Sequence, residues 1–477
     1  MNSKVIGRKT EYRKLEKCMN EVQAQLLIVY GRRRVGKTFL INHFFDGRFD
    51  FKLTGAYNQP LSTQLRNFNA ELSRQSGTKK GIPKDWIEAF EQLRDYIENL
   101  SGGCKRVIFI DEMPWLDTAK SGFLPAFEWF WNDWASAQDN LLMIVCGSAT
   151  SWMVDKIAEN KGGLFNRQSC KLYLEPFTLK ETEEYLQSKG INWSRYDIAE
   201  CYMIMGGIPY YLSLLDSELS YSGNIDNMFF RKRAELWDEF DHLYSTLFSE
   251  SAQYIKVVEA LAGKSYGLTR SEIAGKTGLP ENGTLTKILK NLVDSGFARA
   301  YTFYGKKKKG MIYQLADYYT MFYLKFLKGN PGHDENCWSN TLDSPSRRAW
   351  AGFTFEQLCK DHIRQIKQKI GISGVYAEVS SWYAKGSGNG NNGAQIDMLI
   401  DRRDRVINIC EIKFSINDFE IDKAYDMALR NKIAVFREAT GCRKSIQPTL
   451  ITTFGVKKNM YSSIAEKQVV LDDLFCD

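Results

Sequence analysis

The chain has 477 residues, 44% of them hydrophobic and 25% charged, and a formal net charge of +7. That length exceeds a single hydrophobic core and predicts two to four domains, and the ordinary composition excludes a disordered or fibrous chain. The mild positive charge, spread over several domains, permits a nucleic-acid partner without requiring one. The ten cysteines stand singly with no CxxC, and the four histidines are far apart. This argues against a zinc site or a disulfide framework and for a reducing compartment. The N-terminus, MNSKVIGRKTEYRKLEK, lacks the apolar core of a signal peptide, and the longest apolar runs are strand-sized. The expectation is a cytoplasmic protein with no membrane partner.

In chain order, Thr10–Gln23 reads as a helix, with Thr10 as its candidate cap. Leu26–Val29 reads as a short buried strand. Gly31 to Thr38 then spell GxxxxGK[ST], and a helix begins at Phe39. Gly31 and Gly36 let the backbone wrap around nucleotide phosphates, and the following helix aims its positive end at them. Lys37 is placed to reach the β- and γ-phosphates, and the Thr38 hydroxyl to ligate Mg²⁺. Gly31, Arg32, Arg33, Arg34, Val35, Gly36, Lys37, Thr38 and Phe39 are thus the candidate ATP contacts. A strand over Phe49–Tyr57 and helices over Leu61–Arg74 and Trp86–Leu100 follow.

The next stretch, RVIFIDEMPWLD, has a buried parallel strand at Val107–Ile110 that ends in Asp111-Glu112. A carboxylate at the end of such a strand can hold Mg²⁺ beside the phosphate loop, which assigns Asp111 to the metal. Glu112 is placed to polarise the attacking water. Between this strand and the next, Phe123, Phe127, Phe130 and Trp134 recur at helical spacing and are predicted core. The strand Leu141–Cys146 leads to Gly147-Ser148, and Ser148 is a candidate γ-phosphate sensor. Ser151–Lys161 is helical, and Arg167 precedes a strand at Lys171–Leu174.

Gly7-Arg8, the phosphate loop, Asp111-Glu112, Ser148, Arg167, Glu175-Pro176-Phe177 and Gly206-Gly207-Ile208-Pro209 occur in that order. Over about residues 3–250 the chain resembles the archaeal-type ATPase family, a branch of the AAA+/STAND P-loop NTPases. The resemblance implies a five-stranded parallel sheet with the phosphate-loop strand central. It implies an arginine near the γ-phosphate, for which Arg167 is the candidate and which a neighbouring subunit of a homo-oligomer can supply. It also implies that Pro209 packs near the nucleotide base, a helix-start proline being the competing reading. The helical pattern from Thr178 to about Glu250 reads as a lid whose motion couples nucleotide state to the rest of the chain.

Ser251–Leu315 reads as three helices and a hairpin, a winged helix-turn-helix pattern, with a capping box at Thr269–Glu272. The hairpin tip GKKKKG carries Lys306–Lys309, suited to DNA phosphates. The third helix, NGTLTKILKNLVDSG, offers Lys287 and Lys290 but no arginine for a guanine edge, so a structural role stays open beside DNA contact.

A polar linker, Gly329–Ser346, separates the last domain. Arg347–Lys369 is helical and contains Glu356. A strand at Val375–Val379 leads to KGSGNGNNG, and strands Ile396–Ile400 and Val406–Lys413 follow. Period two puts Glu411 and Lys413 on one face, and an adjacent strand can bring Asp397 beside them. Asp397 and Glu411 can hold Mg²⁺, with Glu356 completing the set, and Lys413 can orient the attacking water. From about residue 345 onward this resembles the PD-(D/E)XK restriction-endonuclease-like superfamily.

The fold expectation is α/β: a P-loop NTPase core over 1–177, a helical lid over 178–250, a winged helix over 251–328 and a nuclease-like domain over 345–477. The functional expectation is an ATPase whose nucleotide state controls a Mg²⁺-dependent nuclease-like domain acting on DNA. The alternative is a nucleotide-dependent switch or DNA-binding regulator whose last domain binds a partner without cutting nucleic acid.

Overall fold

Five short apolar strands, each followed by helix or turn, make the first sheet. They are β1 (Gln25–Tyr30), β2 (Phe51–Thr54), β3 (Arg106–Asp111), β4 (Leu141–Gly147) and β5 (Cys170–Tyr173). The computed structural model describes residues 5–159, 163, 169–248, 250–306, 310–329, 334–342, 344–384 and 393–476. The strands run parallel in the order β2-β3-β4-β1-β5. β4, buried at every position, is therefore the middle strand. The phosphate-loop strand β1 is interior but lies next to the edge, which corrects the expectation that it is central. β4 separates it from the acidic strand β3, and parallel pairing aligns the C-terminal ends of all three.

Helices α1 (Lys9–Asn20), α2 (Lys37–Phe44), α3 (Leu61–Ser76), α4 (Trp86–Glu98) and α5 (Phe123–Asp133) accompany the sheet. One apolar cluster joins Ile28, Ile108 and Val145 of the strands to Phe68, Trp86, Phe90, Phe127 and Phe130 of α3–α5. Phe123, Phe127, Phe130 and Trp134 are all buried, as their spacing predicts. Phe90 stacks on Phe130 at 4.9 Å. Each such ring contributes about 1.5–3 kcal/mol of burial before its ordering cost. The N-cap of α1 is Arg8 in a left-handed conformation with no side-chain cap bond, in place of the expected Thr10.

The chain divides into two compact units at Pro176/Phe177. In the second, α6 (Leu179–Ser188) opens with a capping box between Thr178 and Glu181, and α7 (Arg195–Met205) follows. Gly206 closes α7 and α8 (Pro209–Ser213) starts at once. Gly207 has φ 64°, and a Cβ there would stand 2.3 Å from the Phe177 carbonyl oxygen, so the turn admits only glycine.

Helices α9 (Ser251–Ala262), α10 (Arg270–Thr277) and α11 (Gly283–Asp294) accompany a small antiparallel sheet. Its strands are β6 (Leu268–Thr269), β7 (Ala298–Thr302) and β8 (Met311–Leu315), in the order β6-β8-β7. The Thr269–Glu272 capping box forms as predicted. Of the four hairpin-tip lysines, Lys306 is exposed and residues 307–309 lie outside the described residues.

The predicted Arg347–Lys369 helix is two helices, α12 (Pro345–Asp361) and α13 (Ile363–Lys369), with a break at His362. α12 packs on β11 of a mixed sheet made by β9 (Ala377–Ala384), β10 (Ala394–Arg402), β11 (Val406–Lys413), β12 (Ser445–Thr452) and β13 (Lys467–Val470). β9, β10 and β11 are antiparallel, and β11, β12 and β13 are parallel. The helix α14 (Lys423–Thr440) crosses between β11 and β12 in sequence. The predicted lid helices belong to this same unit: Arg347 pairs with Glu200 of α7 at 2.9 Å, both buried, and Tyr196 stacks on Phe414. Among the described residues no helix is long and apolar enough to cross a membrane.

Candidate functional site: a phosphate loop and a carboxylate cluster

In the first unit the loop from Gly31 to Gly36 joins β1 to α2, whose N-cap is Gly36. Gly31 has φ 139°, and a Cβ there would meet the Leu174 carbonyl oxygen at 2.4 Å. The loop is thus seated against the end of β5 by a position that tolerates no side chain. Arg8, buried, donates to the Val35 carbonyl at 3.2 Å and ties the N-terminal turn to the loop. Arg32, Val35 and Lys37 are buried, Arg33, Arg34 and Thr38 half-buried, and Phe39 is exposed on α2.

The Lys37 ammonium is drawn onto the loop itself, donating to the carbonyls of Gly31 at 2.9 Å and Arg32 at 2.8 Å. Burial lowers its pKa below the usual lysine range. The Thr38 hydroxyl donates to Asp111 Oδ2 at 2.8 Å, so α2 and the end of β3 meet across the sheet. Glu112 follows in a left-handed conformation, φ 45°. The Ser148 hydroxyl donates to Glu112 Oε1 at 2.6 Å, and the Ser148 backbone N–H to Oε2 at 3.1 Å. Both carboxylate oxygens are thereby fixed. Ser148 meets Glu112, a contact that spacing along the chain does not reveal. Arg167 lies outside the described residues. Pro209 belongs to the second unit, where it is the first residue of α8, the helix-start role open to it from the sequence.

Residues 6–215 match a family described as an ATPase domain predominantly from Archaea. The chain carries an archaeal-type ATPase domain. An uncharacterized protein of Methanocaldococcus jannaschii is 25% identical to the chain over 435 residues, covering 90% of this chain and 92% of the relative. An uncharacterized ATP-binding protein of the same organism is 51% identical over 43 residues, 9% of this chain and 73% of that protein. Among solved structures, the Walker-type ATPase of Pyrococcus abyssi aligns with TM-score 0.48 and 18% identity over 68% of this chain and 96% of its own. The ORC2 protein of Aeropyrum pernix aligns with TM-score 0.43 and 13% identity over 72% and 95%. The loop, Asp111 and Glu112 all lie inside the ATPase domain.

A second cluster lies beyond the ATPase domain. The register of β9 on β10 shifts between Ile396 and Leu399, so Asp397 sits in a bulge, a device that re-aims a side chain. Met398 pairs with Cys410, so the next step of the ladder sets Asp397 against Glu411. Lys413 follows on the Glu411 face, its ammonium 5.6 Å from the Tyr425 ring centre. Glu356, on α12, is close enough to Asp397 to feel its charge. Burial first, then Asp397, push the Glu356 carboxyl up to about 8. Burial also raises Glu411 above the usual carboxylate range. The four residues predicted from sequence are therefore neighbours.

Other partners were not legible in the motif. Lys432 donates to Glu411 Oε1 at 2.5 Å and the Tyr425 hydroxyl to Oε2 at 3.3 Å. They stand seven residues apart on α14, two turns on one face. Gln395 donates to Asp397 Oδ1 at 3.1 Å. Lys360, one turn beyond Glu356, is lowered to about 8 by burial and then by Arg299. Among the described residues no three acidic, histidine or cysteine side chains converge closely enough to hold a metal ion by themselves. Glu411 is engaged by Lys432.

Proposed function

We propose that the protein is an ATP-hydrolysing ATPase whose nucleotide state controls a C-terminal, Mg²⁺-dependent, nuclease-like domain acting on DNA. The observation that carries the ATPase half is the meeting of Thr38 with Asp111 beneath the loop, beside a glutamate held by both oxygens. A hydroxyl and a carboxylate suit Mg²⁺, which keeps most of its waters and takes few protein ligands. When bound, the ion neutralises phosphate charge. Lys37 leaves the carbonyls of Gly31 and Arg32 for the β- and γ-phosphates. Glu112 polarises the attacking water, and Arg167 is the candidate arginine for the γ-phosphate.

The three helices and small antiparallel sheet of 251–315 support a winged helix-turn-helix reading, with DNA as the partner of that module. The nuclease-like reading of the last domain rests on Asp397 in its bulge, Glu411 across from it and Lys413 two residues on. Two carboxylates suffice for Mg²⁺ when the substrate phosphate and waters complete its shell. Lys413 orients the attacking water and offsets charge on the scissile phosphate. The Lys432–Glu411 ion pair favours a second reading, a nucleotide-dependent switch or DNA-binding regulator whose last domain binds a partner without cutting.

The test is incubation of the full chain with Mg²⁺ or Mn²⁺ and plasmid, linear or single-stranded DNA, with and without ATP, beside Lys37→Ala, Glu112→Gln and Asp397→Ala. The expected result is loss of nucleotide binding or turnover in Lys37→Ala, trapped ATP in Glu112→Gln, and loss of cleavage in Asp397→Ala with ATP hydrolysis retained. Unchanged hydrolysis in both loop-site variants overturns the ATPase assignment. ATP hydrolysis without cleavage under any condition favours the switch.

A further inference from the structure

Among the described residues, two of the carboxylates, Glu356 and Asp397, face a narrow cavity. Tyr266, Tyr301, Phe303 and Gln314, from the segment of β6–β8, share a cavity with Glu356 and Asp397. The cavity is about 10 Å³, room for one water at most. A scissile phosphate with its flanking sugars cannot enter it. The contact that closes it is small and specific. The Tyr304 backbone N–H donates to the Ser381 carbonyl at 2.9 Å, on the strand that flanks the bulge. The Ser381 hydroxyl in turn donates to the Asp397 carbonyl at 2.7 Å. Tyr266 stacks on Tyr383 at 5.6 Å with rings 15° apart. Arg299 of β7 donates to Gln357 Oε1 at 3.2 Å and pairs with Asp361, both on α12. Lys360 reaches Gln314 Oε1 of β8 at 3.4 Å.

Most of these contacts differ from a domain core. Tyr383 is 38% exposed, and Tyr266, Tyr301, Phe303 and Tyr304 are half-buried. Besides the Tyr304 ring, which packs on Phe436 at 5.3 Å at the edge of an apolar cluster, the join consists of one backbone bond, a few side-chain bonds and a ring pair at the water's edge, each worth little net. A contact of this kind can part without unfolding either side.

We propose that the β6–β8 segment is a lid on the carboxylate site: as seen here it excludes DNA and a metal ion with its waters, and its separation from β9 and α12 admits them. The inference rests on the nuclease-like reading for what the open site does, but not for whether the lid opens.

The experiment uses the full chain without nucleotide. Arg299→Glu sets a carboxylate against Asp361, and Tyr266→Ser removes the ring pair alone, a milder change if the first variant fails to fold. Amide hydrogen exchange is read over 298–304 and 377–384, and Mn²⁺ binding is read with Asp397→Ala as the blank for this site. In each opened variant exchange quickens and the Asp397-dependent Mn²⁺ affinity rises about tenfold, since apparent affinity scales with the open fraction. Cleavage of DNA in Mn²⁺ rises in step. If exchange and Mn²⁺ affinity rise but no variant cuts DNA, the lid stands and the nuclease reading falls. Faster exchange with unchanged Mn²⁺ affinity shows a merely structural contact and overturns the lid. Unchanged exchange in both folded variants overturns it equally.

Discussion

Glu112 and Ser148 follow the ends of two neighbouring strands, β3 and β4, and their two hydrogen bonds do what neither residue could do alone. The left-handed backbone at Glu112 turns its side chain out of the strand, and Ser148 fixes both oxygens. On the proposed function, in which Glu112 polarises the attacking water, these bonds make Ser148 a positioning residue for it. Ser148→Ala is expected to lower ATP turnover by about tenfold with KM for ATP unchanged, less than the 10²–10⁴ that a general base supplies, because the backbone N–H still holds Oε2. Steady-state kinetics check this. An unchanged kcat would remove Ser148 from the site.

His362 ends α12 and begins the break before α13. Its Nε2 accepts from the Leu179 backbone N–H at 3.0 Å, which fixes the tautomer with Nδ1–H donating to the Leu358 carbonyl at 2.9 Å. One buried ring thereby satisfies the first turn of α6 and joins it to α12. Burial lowers its pKa below the ordinary histidine value. A lowered folded-state pKa gives stability that is present above the unfolded value of about 6.5 and lost as pH falls through the folded one. The second unit is thus expected to melt earlier as the pH drops below about 6.5. His362→Ala should cost about 1–3 kcal/mol at neutral pH and flatten that dependence, as read by thermal melts across the range. An unchanged acid limb in the variant would exclude His362 as its source.

At the scale of the molecule, the proposed function requires that events at the phosphate loop change the carboxylate site. The helices predicted as a lid lie in the unit that carries that site, joined to it by the Arg347–Glu200 pair and the Tyr196–Phe414 stack. A coupling of ordinary size would shift DNA cleavage by about 5- to 150-fold between nucleotide-free and ATP-bound protein. Lys37→Ala is expected to hold cleavage at the nucleotide-free level whatever the ATP concentration, and Glu112→Gln to hold it at the ATP-bound level. Cleavage rates identical in all three proteins with and without ATP would separate the two activities.

The sequence by itself determined the parts whose signals are local. GRRRVGKT between an apolar strand and a helix, the apolar run ending in Asp111-Glu112, the aromatic spacing of α5 and the Glu411-x-Lys413 alternation are periodicities of one strand or helix, and each stands in the structure as read. Only the tertiary structure decided what meets across strands. It set β4 in the middle of the sheet, tied Ser148 to Glu112, gave Lys432 to Glu411 and re-aimed Asp397 through a bulge. It also brought β6–β8 over the carboxylates and made one compact unit of three predicted segments. The reason is physical. Period and motif constrain neighbours a few residues apart, while register, bulges and cross-sheet hydrogen bonds depend on packing between residues tens of positions distant.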